Sequence, residues 1–152
     1  MAPRWAFEDF EVGTEIGLGS KSVTAEEIVE FASQFDAQPM HLDEEAGKAS
    51  ILGGLSASGW HSCCMLMRMM CDRFLLDSTS QGAPGVDYVR WKKPVLAGDR
   101  LVGSSIVEEK RLSSTRPGLG FVTCRHQLVN QRGETVLELR NTGMFLTREA
   151  SA

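Results

Sequence analysis

No stretch of the chain is apolar for long enough to cross a bilayer as a helix, so nothing in it points to a membrane span. The N-terminus, Met1-Ala-Pro-Arg-Trp-Ala-Phe-Glu-Asp-Phe-Glu11, has no apolar core of the kind a secretory signal needs, and a cytoplasmic location is expected. Positive charge is not in excess either: 16 Lys and Arg stand against 20 Asp and Glu, a net charge of −4. That balance gives no electrostatic reason to expect nucleic acid or an anionic membrane as partner. The four cysteines form no disulfide framework, because Cys63 and Cys64 are adjacent, Cys71 shares their apolar segment and only Cys124 lies elsewhere. Reduced, buried thiols are expected. His61 and Cys64 match no standard zinc spacing, so no metal site is expected. Repeats, linkers and low-complexity segments are missing as well, which leaves one domain over residues 1–152.

What the chain does have is a rod. From Trp60 to Leu76 there is neither Gly nor Pro, and Met65, Leu66, Met67, Met69, Met70, Phe74, Leu75 and Leu76 make the segment apolar around most of its circumference. A helix of that kind is expected to be buried, with Ser58 or Ser56 as its cap. At about 1.5 Å per residue it would run on the order of 27 Å, the diameter of a small domain. Its first turn admits Ala, so Gly59→Ala is expected to leave folding nearly intact.

Before the rod, Glu15 to Val23 reads as a strand, and Thr24-Ala-Glu-Glu27 has the form of a capping box. Ile28, Phe31, Ala32 and Phe35 then follow at i, i+3, i+4 and i+7, one apolar helix face that must end before Pro39. Leu42 to Ala49 permits a short polar helix. After the rod the pattern turns strand-like: Gly85 to Lys92, Arg100 to Arg111, Phe121 to Asn130 and Glu134 to Thr147, the last two joined by a short hairpin. An α+β architecture satisfies this order, with one antiparallel sheet of about five strands curved around the long helix: a hotdog fold.

The most informative polar segment is Phe35-Asp-Ala-Gln-Pro-Met-His-Leu-Asp43. Asp36 stands at a helix exit, His41 lies five residues on, and Pro39 enforces a bend that can turn both into one pocket. A carboxylate and an imidazole held together can position a water and move its proton. By spacing alone, an Asx-type cap followed by a surface histidine is the commoner arrangement.

Asp36-x-Gln38-Pro39-x-His41 resembles the hydratase signature Gly-Asp-x-Asn-Pro-x-His of the MaoC-like dehydratases, the (R)-specific enoyl-CoA hydratase group with a hotdog fold. Phe7-Glu-Asp-Phe-Glu-Val-Gly13 is similar to the lead-in of that family, Ser58-Gly-Trp-His61 opens the long helix at the matching place, and Val89 to Asp99 resembles its next strand and turn. The glycine before the Asp is Phe35 here, expected to narrow the pocket, and the Asn is Gln38, the same amide on a longer arm.

The resemblance implies a hydro-lyase that interconverts 2-enoyl-CoA and (R)-3-hydroxyacyl-CoA, with an acyl-CoA or acyl-carrier thioester as substrate and no cofactor beyond coenzyme A within it. Asp36 and His41 would act on one water. Gly59, in the first helical turn, would give its free amide to the thioester oxygen, although Gly there also allows close approach of helix to strand. Gln38, Ser58, Trp60, His61 and Arg90 are the expected substrate contacts; His61 with Ser62 also reads as a satisfied core pair, and Arg90 with Lys92 and Lys93 as an ordinary exposed strand face. His126, mid-strand, has no assignment. A hotdog thioesterase and a non-catalytic acyl-thioester binding subunit are the alternatives; the helix's only acid, Asp72, lies far from its N-terminal end. Exposed sheet edges point to a homodimer or a dimer of dimers.

Overall fold

Alternating side chains along five extended segments build the frame on which everything else sits. A computed structural model describes residues 1–152. It contains β1 (Glu15–Ser22), β2 (Val86–Trp91), β3 (Arg100–Leu112), β4 (Leu119–Val129) and β5 (Thr135–Leu146). They form one sheet in the order β1-β3-β4-β5-β2, with every neighbouring pair antiparallel. The inner face collects Leu18, Leu101, Val107, Val122, Leu128 and Leu137, all buried. β1 and β2 are the free edges.

Helix α1 (Ala25–Phe35) begins with the expected capping box: the Thr24 hydroxyl accepts from the Glu27 amide, and the Glu27 carboxylate accepts from the Thr24 amide. A cap of this kind is worth about 1 kcal/mol. Ile28 and Ala32 are buried, whereas Phe35 is 72% exposed and meets Phe31 at a tilt, with ring centroids 5.3 Å apart. Phe35 therefore does not narrow the site. The short helix α2 (Glu44–Ala49) follows, capped by Asp43.

The rod is α3 (Gly59–Arg73), capped by Ser58 and shorter than its apolar run. Phe74 leaves helical conformation at φ −148° and packs its ring 5.9 Å from those of both Trp5 and Phe10. Burial of that ring outweighs one more helical turn, and Leu75–Asp77 closes as a 3-10 turn. Nor is α3 buried all round. Met65, Leu66, Met69 and Met70 face the sheet, while Trp60 (59%), Cys64 and Met67 (46%), spaced i, i+4 and i+7, share an exposed stripe. No helix is long and apolar enough to cross a membrane.

Candidate active site

The site forms where the exit of α1 meets the entry of α3. Asp36 is the residue that ends α1, with φ −154° and its amide bonded to the Ala32 carbonyl at 2.9 Å. Gln38 is extended, as a residue before proline must be, and Pro39–His41 make one 3-10 turn. The turn carries His41 back under Asp36, leaving His41 Nε2 3.6 Å from Asp36 Oδ2. That gap is too long for a direct hydrogen bond.

The orientation of the imidazole is set from its other side. His41 Nδ1 lies 2.7 Å from the Ser56 carbonyl oxygen, which only accepts, so Nδ1 carries the proton. In the neutral ring Nε2 is then a bare acceptor directed at Asp36. The Ser56 strap is itself anchored, its amide bonded to the Met40 carbonyl and the next amide, Ala57, to the Val95 carbonyl at 2.8 Å.

The carboxylate is held from two sides. The Ser58 hydroxyl donates to Asp36 Oδ2 at 2.6 Å and the Gln38 amide donates to Oδ1 at 2.7 Å. These two bonds, the Ser58 one foremost, hold the Asp36 carboxyl below the usual carboxylate range against the opposing effect of burial. Ser58 is wholly buried and serves twice, since its oxygen also accepts from the Trp60 amide at 3.3 Å. Base and helix entry are thus tied through one hydroxyl.

Gly59 completes the arrangement. Its amide, first in α3, has no acceptor within the protein. Its carbonyl accepts from Trp91 Nε1 at 2.9 Å, and the Trp91 ring lies where a side chain would stand: a Cβ on Gly59 would come within 2.5 Å of it. The expectation that alanine fits here without cost is therefore corrected. Trp60 meets Trp91 edge-on at 5.1 Å. Asp36, Gln38, His41, Gly59, Trp60 and Trp91 all border one cleft of about 520 Å³, whose rim carries Lys92 and Lys93.

Three expected substrate contacts do not border the cleft: Ser58 is wholly buried, its hydroxyl spent on Asp36 and the Trp60 amide, and His61 and Arg90 lie elsewhere. His61 faces α1, stacked on Phe31 at 4.7 Å with its Nε2 3.7 Å from Glu27 Oε1, and it does not border the cleft. Nor is it a satisfied core group, because its buried Nδ1 has no partner. Burial pushes its pKa down, against the pull of Glu27. Arg90 is excluded by strand alternation: Val89 packs on the core, while Arg90 lies over the Tyr88 ring at 4.1 Å and pairs with Glu138 at 3.5 Å. Trp91, two residues beyond Val89, shares its face by ordinary alternation, and the register shift between Val86 and Tyr88 puts both out of step with Val86. Ser56 and Trp91 are the site residues that sequence reasoning missed. For Trp91 the parity break in the apolar pattern Val86, Tyr88, Trp91 was the available signal.

Residues 9–126 match the sequence model of the MaoC like domain. Among solved structures, the chain is similar to the MaoC-like dehydratase from Rhodospirillum rubrum, at 34% identity and a TM-score of 0.84, over 93% of this chain and 97% of that one. It is also similar to a protein from Archaeoglobus fulgius described as a monoamine oxidase regulatory protein, at 30% identity and 0.83, over 97% and 99%. The (R)-hydratase PhaJ1 from Pseudomonas aeruginosa, at 19% identity and 0.76 over 96% and 88%, shares the fold.

Proposed function

Since the chain belongs to the MaoC-like domain family, we propose that it is a hydro-lyase of acyl thioesters, adding water reversibly to a 2-enoyl-CoA to give an (R)-3-hydroxyacyl-CoA. The observation that carries this reading is the Asp36–His41 pair, His41 Nε2 and the Asp36 carboxylate 3.6 Å apart at the edge of a cleft that also presents a free backbone amide.

In the hydration direction a water sits between His41 Nε2 and Asp36. His41 takes one of its protons as the water oxygen bonds to C3, while Asp36 accepts a hydrogen bond from the remaining O–H. The electron pair of the C2–C3 double bond moves toward the thioester, and charge develops on the carbonyl oxygen. Gly59 N–H, at the positive end of α3, donates to that oxygen. The proton held by His41 is then delivered to C2, so one water has been added and both groups regain their starting states. Dehydration is the same path reversed. Gln38 and Ser58 hold the carboxylate, Trp60 and Trp91 border the acyl thioester, and Lys92 and Lys93 stand where phosphates of a coenzyme A or carrier arm would enter.

The same reading makes the chain a homodimer. The exposed stripe of α3 meets the free edge strand β2 where Trp60 packs on Trp91, and an exposed apolar helix stripe beside an open strand edge calls for cover by a second copy.

The test is a panel of 2-enoyl and 3-hydroxyacyl thioesters, with loss of the conjugated thioester and release of free thiol followed together. Wild-type protein is expected to change the first without the second. Asp36→Asn and His41→Ala should each cost about 10²–10⁴-fold, and the double variant little more, because groups acting as one unit are not additive. Thiol release would make the protein a thioesterase, and thioester affinity without turnover in either assay a binding subunit. A similar rate in wild type and Asp36→Asn would sink the dyad.

A further inference from the structure

Lys92 and Lys93 are the only lysine or arginine residues that border the dyad cleft, and both main-chain amides bond the Val136 carbonyl, at 2.9 and 3.5 Å. The rim is thereby tied to β5. Each ammonium then meets an acid, one within that strand and one leading into it: Lys92 Nζ lies 3.6 Å from Glu138 Oε1, and Lys93 Nζ lies 4.0 Å from Glu134 Oε2. Those distances are too long for hydrogen bonds, so the acids cancel charge at the rim without consuming the lysine donors.

Both acids are held in place by other groups. Glu138 is mostly buried; its carboxylate accepts from the Tyr88 hydroxyl at 2.9 Å and lies 3.5 Å from Arg90 and 4.0 Å from Arg125. Burial pushes its pKa up, yet the Tyr88 bond and the cations Lys92 and Arg125 outweigh that and leave the carboxyl below its ordinary value. Glu134 accepts from Asn130 Nδ2 at 3.0 Å and from Arg132 Nε at 2.9 Å, and these bonds, the Asn130 one foremost, hold its carboxyl low as well. Both are charged at neutral pH. The further cations restore little positive field, because Arg125 also faces Glu108 and Arg132 also faces Asp99. Within the cleft Asp36 adds a negative charge, and Ile51, Leu52, Trp60 and Trp91 supply apolar wall.

We propose that Glu134 and Glu138 set the substrate class of this cleft: by cancelling the rim lysines they make it read the uncharged, pantetheine-like part of a thioester arm, and accept arms with and without nucleotide phosphates alike. The inference rests on the acyl-thioester reading of the cleft. Two unpaired lysines would draw a multiply charged phosphate arm through their long-range field, and that attraction would show as a strong, salt-dependent preference. Paired lysines present little such field. An arm built of amides and methylenes loses nothing by this, since it binds through apolar contact and hydrogen bonds instead.

The measurement is a ratio, kcat/KM for 2-butenoyl-CoA over kcat/KM for 2-butenoyl-pantetheine, followed as salt is added. Wild type is expected to give a ratio within about threefold of unity that shifts by less than about twofold between roughly 0.05 and 0.5 M salt. Glu138→Gln keeps an acceptor for Tyr88 and leaves Lys92 uncancelled. Its ratio should rise roughly threefold to tenfold at low salt, through KM of the CoA thioester and not kcat, and fall back at high salt. Glu134→Gln, at an exposed pair, should raise the ratio about twofold to threefold, and it carries the test if Glu138→Gln does not fold. A wild-type ratio above about tenfold with steep salt dependence, or variants that leave the ratio where it was, would overturn the proposal. Absence of turnover would sink the hydratase reading alone, because calorimetric Kd values for the same two thioesters give the same comparison; no binding of either would overturn both.

Discussion

Trp91 Nε1 donates to the Gly59 carbonyl at 2.9 Å, and the indole ring fills the volume that any side chain on residue 59 would need. One peptide unit of the α3 entry is thereby held at both ends, its N–H by Ser58 and its C=O by Trp91. The neighbouring Gly59 amide is left as the free donor of the cleft.

Gly59→Ala is accordingly predicted to displace the Trp91 ring. Turnover of an enoyl thioester should fall by about 10–10³-fold, within the range for a misplaced oxyanion donor. Trp91→Phe, which keeps an aromatic ring of smaller size and loses the N–H, should cost less. Steady-state kinetics and indole fluorescence, read on the same samples, check this. An unchanged fluorescence spectrum in Gly59→Ala would contradict the packing.

Ser58→Ala removes the main cause of the lowered Asp36 pKa. The carboxyl should then titrate at higher pH, observable by carboxyl carbon NMR. The linkage sign follows. With its folded pKa depressed, Asp36 contributes stability that is present above its ordinary value of 3.8 and lost as the pH falls through the folded pKa. Ser58→Ala should lessen that contribution and, through the lost α3 cap, also lower Tm at neutral pH.

Much of this was legible in the sequence, and the exceptions have physical causes. Strand bounds were readable to within about two residues because a half-covered sheet imposes period two on its side chains. The end of α3 was not, because Phe74, Leu75 and Leu76 continue the apolar run, and only tertiary burial of Phe74 beside Trp5 and Phe10 shows where the helix stops. Asp36 and His41 were visible as a local motif. Ser56 and Trp91 were not, since one acts through a backbone carbonyl 15 residues from His41 and the other from a strand 32 residues beyond Gly59. Arg90 was misjudged because charge suggests a phosphate contact, whereas strand parity decides which face a residue occupies.

Light scattering at micromolar concentration is expected to give twice the chain mass of 16.7 kDa. Met67→Glu places a charge in the exposed α3 stripe without touching the dyad cleft, and it should shift the population toward monomer. A wild-type protein that stays monomeric would remove the homodimer.

His61 supplies the sharpest separation between a substrate contact and a packing residue. Its ring is sandwiched against Phe31 and its Nδ1 is buried without a hydrogen-bond partner, an arrangement that typically costs about 1–3 kcal/mol. His61→Phe retains an aromatic face and deletes the orphaned nitrogen, so Tm at neutral pH is expected to hold or rise. Titration adds a second signature. Burial holds the folded pKa below the ordinary 6.5, so the unfolded chain binds the proton more readily. The resulting stability is complete above pH 6.5 and declines as the pH falls from there toward the folded pKa. Lys21 disfavours the charged ring, and Glu27, the facing acid on α1, offsets only part of the cost. In His61→Phe this portion of the acid sensitivity should vanish, with KM for the thioester unchanged because residue 61 does not border the cleft. A raised KM at unaltered stability would instead restore His61 to the substrate.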